Sequence, residues 1–471
     1  MPNKSKISLL WFKNDLRLLD NESLCNSLEA SEKILPVYIF DPRHYRETAY
    51  DFPKAGYNRF EFLKQTLTDL RENLKKADAN LLIKVGKPEE IIPKIIEKYG
   101  ISSVFAEQEY APEEEAVVQQ VIKNLPQSCE YKAIWGKTMY HIDDLPYAID
   151  EIPLTSKAFR INTEKKASVR EVFAQPEKIE VFDIEDWGEL PEASTFDLVP
   201  EESQEAETYL KGGETEALKR LAYYTHESEL LTSYKWTRNR SLGLDYSSKF
   251  SPYLALGAIS PRKIHKEVKL YEKEIKKNIS TWWLIFEVVW RDYFTFKGMM
   301  MGDAIFKTEG FKNKEITFEN DTEKFQRWCD GTTGIPFIDA HMRQLNRTGY
   351  MSNRGRVNCA SYMVHDLKID WTWGAAYFES KLIDYDVSSN WMNWHMQAYE
   401  IWYTNPVHQS LKYKAIEFIQ KWVSELASVE GALIYAPWQM GKQPTDYPAP
   451  IEVYSKWSRS INNILKAAEK E

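Results

Sequence analysis

Between Trp328 and Trp394 the chain crowds Asn353, Arg356, Asp384, Asp386 and Asn390 among the indoles of Trp371, Trp373, Trp391 and Trp394. Ions and amides removed from water are costly unless something polar pairs with them, so this density implies a bound polar aromatic ligand, and a flavin would fit. Asp384 and Asp386 stand one residue apart, and Arg356 can keep them ionised in a low-dielectric pocket, with Asn390 completing the polar rim. Paired aspartates also suit a metal, but no histidine or third carboxylate follows at ligand spacing, so no metal site is expected.

Two further motifs carry chemistry. In "YSSKFSPYLALGAISPR" the hydroxyls of Ser247, Ser248 and Ser251 precede a proline and an apolar run, an arrangement that suits either a diphosphate or a simple helix cap. In "IFEVVWRDYF", Glu287, Trp290 and Arg291 fall within about one helical turn. A carboxylate beside an indole can grip a base by hydrogen bonding and stacking; a surface ion pair over core tryptophans has the same pattern.

The elements that must position these groups fall into two sets. "KISLLWF", "ILPVYIF", "NLLIKVG" and "SSVFAEQ" read as buried strands, with "NRFEFLKQTLTDLRENLKK" and "PEEIIPKIIEKY" as amphipathic helices between them. The spacing predicts an α/β doubly wound parallel sheet over residues 1–135, with ligands at the carboxyl ends of its strands. No GxGxxG or Walker motif follows any strand. Glu107, Gln108 and Glu109 close the fourth strand, as a surface loop or as ligand contacts. Residues 136–205, including the acidic "DIEDWGELPEASTFDLVPEE", read as an interdomain linker, and residues 206–471 as an all-α domain.

Composition sets the class. The 471 residues are too many for one core, and 43% hydrophobic with 28% charged residues is the balance of a soluble globular protein. Aromatic content of 14%, with 16 Trp and 27 Tyr, suits stacking on bases or a cofactor as well as a ring-filled helical core. No signal peptide or membrane span is expected, and four cysteines without metal spacing suit a reducing, cytoplasmic location. The net charge of −9 is unevenly spread: acids dominate between Asp183 and Glu216, whereas Lys235, Arg238, Arg240, Lys249, Arg262, Lys263 and Lys266 follow one another. That second stretch is compatible with a basic face or with ordinary solvated helices.

Together with "WFKNDLRLLDNESL", "WGKTMYHIDDLPY" and "GTTGIPFIDAHMRQLNRTGYMSNRGR", these motifs make the chain resemble the photolyase and cryptochrome family over essentially its full length, most closely the cryptochrome DASH branch. The resemblance implies FAD in the helical domain. Tyr234, Ser247, Ser248, Lys249, Phe250 and Ser251 would hold its phosphates, Arg291, Asn353, Arg356, Asp384 and Asp386 would line it, and Asn390 would face the reactive edge. It also implies light-driven repair of cyclobutane pyrimidine dimers by electron transfer from reduced FAD, on single-stranded or looped DNA, by a monomer. Glu287 would bond the lesion, Trp290 would wall its pocket, and Arg354 and Trp290 would meet DNA. Trp394 and Trp371 would carry electrons during photoreduction, and Glu109 could contact a methenyltetrahydrofolate antenna, a flavin or deazaflavin antenna or none being the alternatives.

Three departures from the family pattern bear on activity. Phe318 occupies the position of the distal tryptophan of the electron path. Met396 stands where relatives place a second aromatic wall. The "HMQAYEIWYT" loop is short and lacks "AGIGND". The alternative reading is accordingly a blue-light photoreceptor that binds FAD and nucleic acid without efficient repair.

Overall fold

The computed structural model describes residues 5–200, 210–310, 316–400, 403–440 and 446–469. Five parallel strands, β1 (Ser5–Trp11), β2 (Ser31–Phe40), β3 (Leu82–Val85), β4 (Ser103–Glu107) and β5 (Glu130–Ile134), form one sheet in the order β3-β2-β1-β4-β5. Helices α1 (Glu22–Ala30), α2 (Tyr57–Lys76), α3 (Pro88–Tyr99) and α4 (Pro112–Asn124) make the crossovers. The two central strands are buried on both faces, which is why they read as unbroken apolar runs: Leu10 and Phe105 belong to one core, Leu9 and Val104 to the other. The fifth strand escaped the sequence pattern because "EYKAI" is a half-exposed edge with no apolar run. The strand order reverses at β1 and β4, so the crevice at their carboxyl ends opens beside Asn14 and Glu109.

The acidic segment after the sheet is not a free tether. Ile34 N–H donates to Glu180 O at 2.9 Å, Phe182 N–H to Ile34 O at 2.8 Å and Ile83 N–H to Trp187 O at 2.9 Å, while Ile179, Phe196 and Leu198 insert into the sheet's core. Before it, α5 (Ser156–Lys166) packs Phe159 against Tyr293 and Phe296 of the helical region. Sparse apolar anchors thus bind both ends of a stretch whose overall acidity suggested a linker. Residues 201–205 of that stretch lie outside the described residues.

The helical region comprises α6 (Glu214–Ala222), α7 (Tyr234–Thr237), α8 (Ser251–Ala255), α9 (Pro261–Glu274), α10 (Ile279–Met301), α11 (Thr322–Cys329), α12 (Pro336–Thr348), α13 (Asn353–Ser361), α14 (Trp371–Lys381), α15 (Val387–Tyr399), α16 (Pro406–Lys412), α17 (Ile416–Trp422) and α18 (Ser458–Ala468). The long α10 starts at a capping box in which Asn278 and Thr281 satisfy each other's backbone. Its interior face carries Leu284, Val288, Val289 and Phe296 into the core. Among the described residues no helix is long and apolar enough to cross a membrane.

Buried carboxylates clamp the helices to the sheet. Asp292 accepts the Met139 and Tyr140 N–H groups at 3.0 and 2.9 Å, Glu214 accepts those of Leu18 and Leu19 at 2.8 Å each, and Arg262 meets Asp20 at 2.9 Å. At Gly257, φ is +64° and an added Cβ would lie 1.9 Å from Asn14 O, so only glycine lets the two regions approach this closely.

Candidate functional site

The turn from Tyr246 to Ser251 is built to place one cation in the interior. Arg220 of α6 donates to the carbonyls of Leu244, Ser247 and Ser248 and fixes the turn from one side. Lys249, at φ +60°, then points inward, 2% exposed, with its Nζ 3.2 Å from the Tyr350 hydroxyl and 3.3 Å from the Tyr246 ring centroid. Burial pushes the Lys249 ammonium well below its ordinary value, and Arg220 and Arg356 push in the same direction. Tyr234 and Phe250 are buried beside it, Ser248 is nearly so, and Ser251 faces outward. The helix that follows, α8, is only five residues long and has no side-chain cap, so the macrodipole expected at this motif contributes little.

Across this pocket, Arg356 of α13 donates through Nη2 to both oxygens of Asp384, at 2.9 and 2.7 Å. Burial lowers the Arg356 guanidinium, and Asp384 outweighs that and holds it charged. Asn353 opens α13 and is exposed. Asn390, in the second turn of α15, is 8% exposed and donates to Ala375 O at 2.9 Å, which fixes the plane of its amide against α14. Arg220 and Arg356 are each paired, with Asp245 and Asp384, and buried Lys249 has only a phenol to bond among the described residues. This donor set fits an anion such as a diphosphate, flanked by the aromatic walls of Tyr234, Tyr246 and Tyr350.

Behind Asn390, Trp394 lies across α14 at Gly374, where an added Cβ would come within 2.3 Å of the indole. Trp371 begins the same helix one turn earlier, fully buried, and donates to Thr308 O at 3.0 Å. The hydroxyl of half-buried Tyr399 shares that carbonyl and bonds the Trp371 indole. Phe318 packs at the edge of the helical core, in a segment pinned beside α14 by Glu319 N–H to Lys368 O at 2.7 Å and Asp370 N–H to Asn320 Oδ1 at 2.8 Å.

On the outer side, α10 presents Glu287 and Trp290. Trp283 Nε1 donates to Glu287 Oε1 at 3.0 Å and Arg238 of the α7 turn closes an ion pair on the same oxygen. Burial raises the Glu287 carboxyl, and Arg238 and Trp283 oppose the rise. Arg354 rests over the Tyr413 ring and donates to Asn239 at 3.0 Å; burial, together with nearby Arg238, disfavours its charge. Sequence reasoning placed Arg354 on this rim but left Arg238 in an undifferentiated basic stretch. Its position four residues after Tyr234, on the same side of a helical turn, was the available signal. The stretch itself is not one basic face: Lys249 and Arg262 turn inward, and Lys263 pairs with Glu267.

Arg291 and Asp386 stand apart from Lys249 and Arg356. Arg291 donates to Lys137 O at 2.6 Å and meets Asp386 at 3.5 Å, and Asp386 also caps α15 through Ser389 N–H. Both line a cavity of about 70 Å³ between sheet and helices, with Glu107 and Glu109. Those acids do not form a surface loop; they are 1% and 6% exposed. Lys13 meets Glu109 Oε1 at 3.1 Å, and Lys137 meets Glu109 Oε2 at 3.1 Å and Glu107 at 2.6 Å. Burial pushes Glu109 up, yet the two ammoniums outweigh it and hold the carboxyl at about 2. With both oxygens engaged and so little space, this cluster does not fit a folate ring as it stands. Neither lysine was singled out from the sequence, since each lies a long chain distance from its partner.

Comparison with known proteins gives these sites a context. Residues 8–178 match the family described as DNA photolyase, and residues 283–467 the family described as FAD binding domain of DNA photolyase. A cryptochrome DASH of Natronomonas pharaonis is 40% identical over 94% of this chain and 97% of that relative. A cryptochrome DASH of Xenopus laevis is 41% identical over 97% of this chain and 92% of that relative. The crystal structure of a Synechocystis cryptochrome superposes with a TM-score of 0.91 at 38% identity, covering 99% of this chain and 100% of the other.

Proposed function

The chain belongs to the photolyase and cryptochrome family, with FAD as its cofactor, and from that premise we propose that it is a light-driven lyase that splits cyclobutane pyrimidine dimers in single-stranded or looped DNA. The observation that carries this reading is the Glu287–Trp290 pair on the outer face of α10, in the same helical region as the Lys249–Arg356 pocket. When bound, FAD in its reduced, photoexcited form would lend the electron that opens the cyclobutane ring and would take it back once the ring has split.

The protein's own groups bind and orient. Lys249 and the serine turn would hold the diphosphate, Arg356 with Asp384 would supply a fixed ion pair to the cofactor, and the Asn390 amide would face its reactive part. Photolyases as a class act on a base taken out of the stack, and Trp290 offers a face to a lesion extruded in that way. Glu287 bonds the lesion's polar edge. Its ion pair with Arg238 opens when a DNA phosphate takes the guanidinium, so backbone binding releases the carboxylate toward the lesion. Burial raises the Glu287 carboxyl, and loss of the Arg238 cation removes one of the two contacts that oppose that rise. Arg354, beside Arg238, takes a neighbouring phosphate.

Affinity for a dimer-bearing oligonucleotide over its undamaged twin tests this pocket. Trp290→Ala in FAD-loaded protein should remove most of that preference. An unchanged preference would mean that the lesion binds elsewhere. One observation favours the second reading, a photoreceptor without efficient repair: Met396 gives the pocket a flexible thioether where a second ring would stack. Dimer affinity equal to that for undamaged DNA in the unaltered protein would support it.

A further inference from the structure

The outer stripe of α10 carries more aromatic surface than the lesion pocket needs. Trp282, Phe286 and Trp290 recur every four residues on one helix face, with Trp283 alongside, and all four are only partly buried. Adjacent centroids are 5.3 Å apart between Trp282 and Phe286, which are nearly parallel at 29°, and 5.7 Å apart between Phe286 and Trp290. Across the Lys235 ammonium from Trp283, Trp236 of α7 is 69% exposed. A continuous apolar stripe left in water marks a binding surface.

The charges beside the stripe identify its occupant. From α7, Lys235 lies 5.3 Å from the Trp283 centroid and 4.8 Å from that of Trp236, and Arg238 lies 4.8 Å from Trp283. From α5 on the opposite flank, Arg160 lies 5.5 Å from Trp282 and 5.7 Å from Phe286. The two acids present are paired, Glu287 with Arg238 and Glu164 with Arg160, which leaves Lys235 in excess. An apolar protein partner would leave these cations desolvated and unmatched, whereas a single strand offers base faces for the rings and phosphates for the rim.

We propose that the stripe from Trp290 through Phe286 and Trp282 to Trp236 is a stacking track for three to four unpaired, undamaged nucleotides flanking the lesion. The α10 segment from Trp282 to Trp290 is about 12 Å long, roughly the rise of that many stacked bases. The track is continuous with the Trp290 pocket, so it extends the DNA reading, yet it needs neither light nor a dimer.

The test uses FAD-loaded full-length protein and a fluorescent, lesion-free oligothymidylate, read by anisotropy across a salt series. Trp236→Ala and Trp282→Ala should each weaken binding by about tenfold with an unchanged salt slope, because stacking carries no counterion. Lys235→Ala should instead reduce the salt slope by about 0.7, the value for one phosphate contact on a single strand. Trp236 is exposed enough that its variant tests the track even if Trp282→Ala fails to retain flavin. Wild-type affinity in the Trp236→Ala protein, with flavin-loaded Trp282→Ala or Trp282→Leu equally unaffected, would overturn the track. Because the probe carries no dimer, failure of the repair reading leaves this outcome untouched.

Discussion

Lys249 donates to the Tyr350 hydroxyl at 3.2 Å in a pocket where, among the described residues, no carboxylate meets it within hydrogen-bonding distance. Burial, Arg220 and Arg356 together favour the neutral amine, so without ligand the group is held well below its ordinary value. A diphosphate reverses that balance. Flavin binding should therefore take up a proton at any pH between the unliganded and liganded titrations of this amine, and calorimetry across a pH series in buffers of different ionisation enthalpy should show it. Lys249→Met should abolish the uptake and weaken FAD by at least about tenfold. Identical uptake in the variant would assign the proton elsewhere.

Trp371 and Tyr399 share the Thr308 carbonyl, which sets a second oxidisable ring against the Trp371 indole. We expect Tyr399→Phe to slow photoreduction of the flavin severalfold, followed as light-driven bleaching with an external thiol. Phe318→Trp should restore or exceed the original rate by adding an oxidisable ring beside α14. Unchanged rates in both proteins would place the outer donor on another aromatic residue.

Gly374 tests how closely the path is packed. A methyl group there would lie 2.3 Å from Trp394 and 2.7 Å from Met363 Cε. Gly374→Ala should lower stability by about 1–3 kcal/mol, read from denaturant midpoints, with altered photoreduction as the indole shifts. A neutral substitution would show that Trp394 has room to move.

Asp292 supplies the pH signature. Burial lifts its carboxyl from 3.8 to about 7, against the opposing Tyr140 and Met139 N–H bonds. Between those values the folded protein binds the proton and the unfolded chain does not, so the group's contribution to stability falls as pH rises from about 4 to 7. Relative to Asp292→Asn, the unaltered protein should lose up to roughly 4 kcal/mol over that range, measured by urea unfolding at each pH. A pH-independent difference would mean that the two backbone bonds keep the carboxylate ionised throughout.

The parallel sheet and the helical class were legible because buried parallel strands and long amphipathic helices write their periods into the chain. β5 was not, because an edge strand carries no apolar run. Arg356 and Asp384 were legible as polar groups stranded among rings that could pair, and they form an ion pair. Tyr350 as partner of Lys249, the Lys13–Glu109–Lys137 bridge and the Arg238–Glu287 pair were not, since each joins residues far apart in the chain and spacing says nothing about such contacts. The short loop after Trp394 includes Ile401 and Trp402, which lie outside the described residues.

The central claim is that light, acting through this protein, reverses pyrimidine dimers. The direct measurement incubates the flavin-reduced protein with dimer-bearing single-stranded and duplex oligonucleotides under blue light and in darkness, and quantifies restored pyrimidines by chromatography. The account predicts restoration only in light, fastest on the single strand, and strongly reduced in Glu287→Ala protein that retains FAD. No restoration of either substrate in light, with reduced flavin bound, would contradict it.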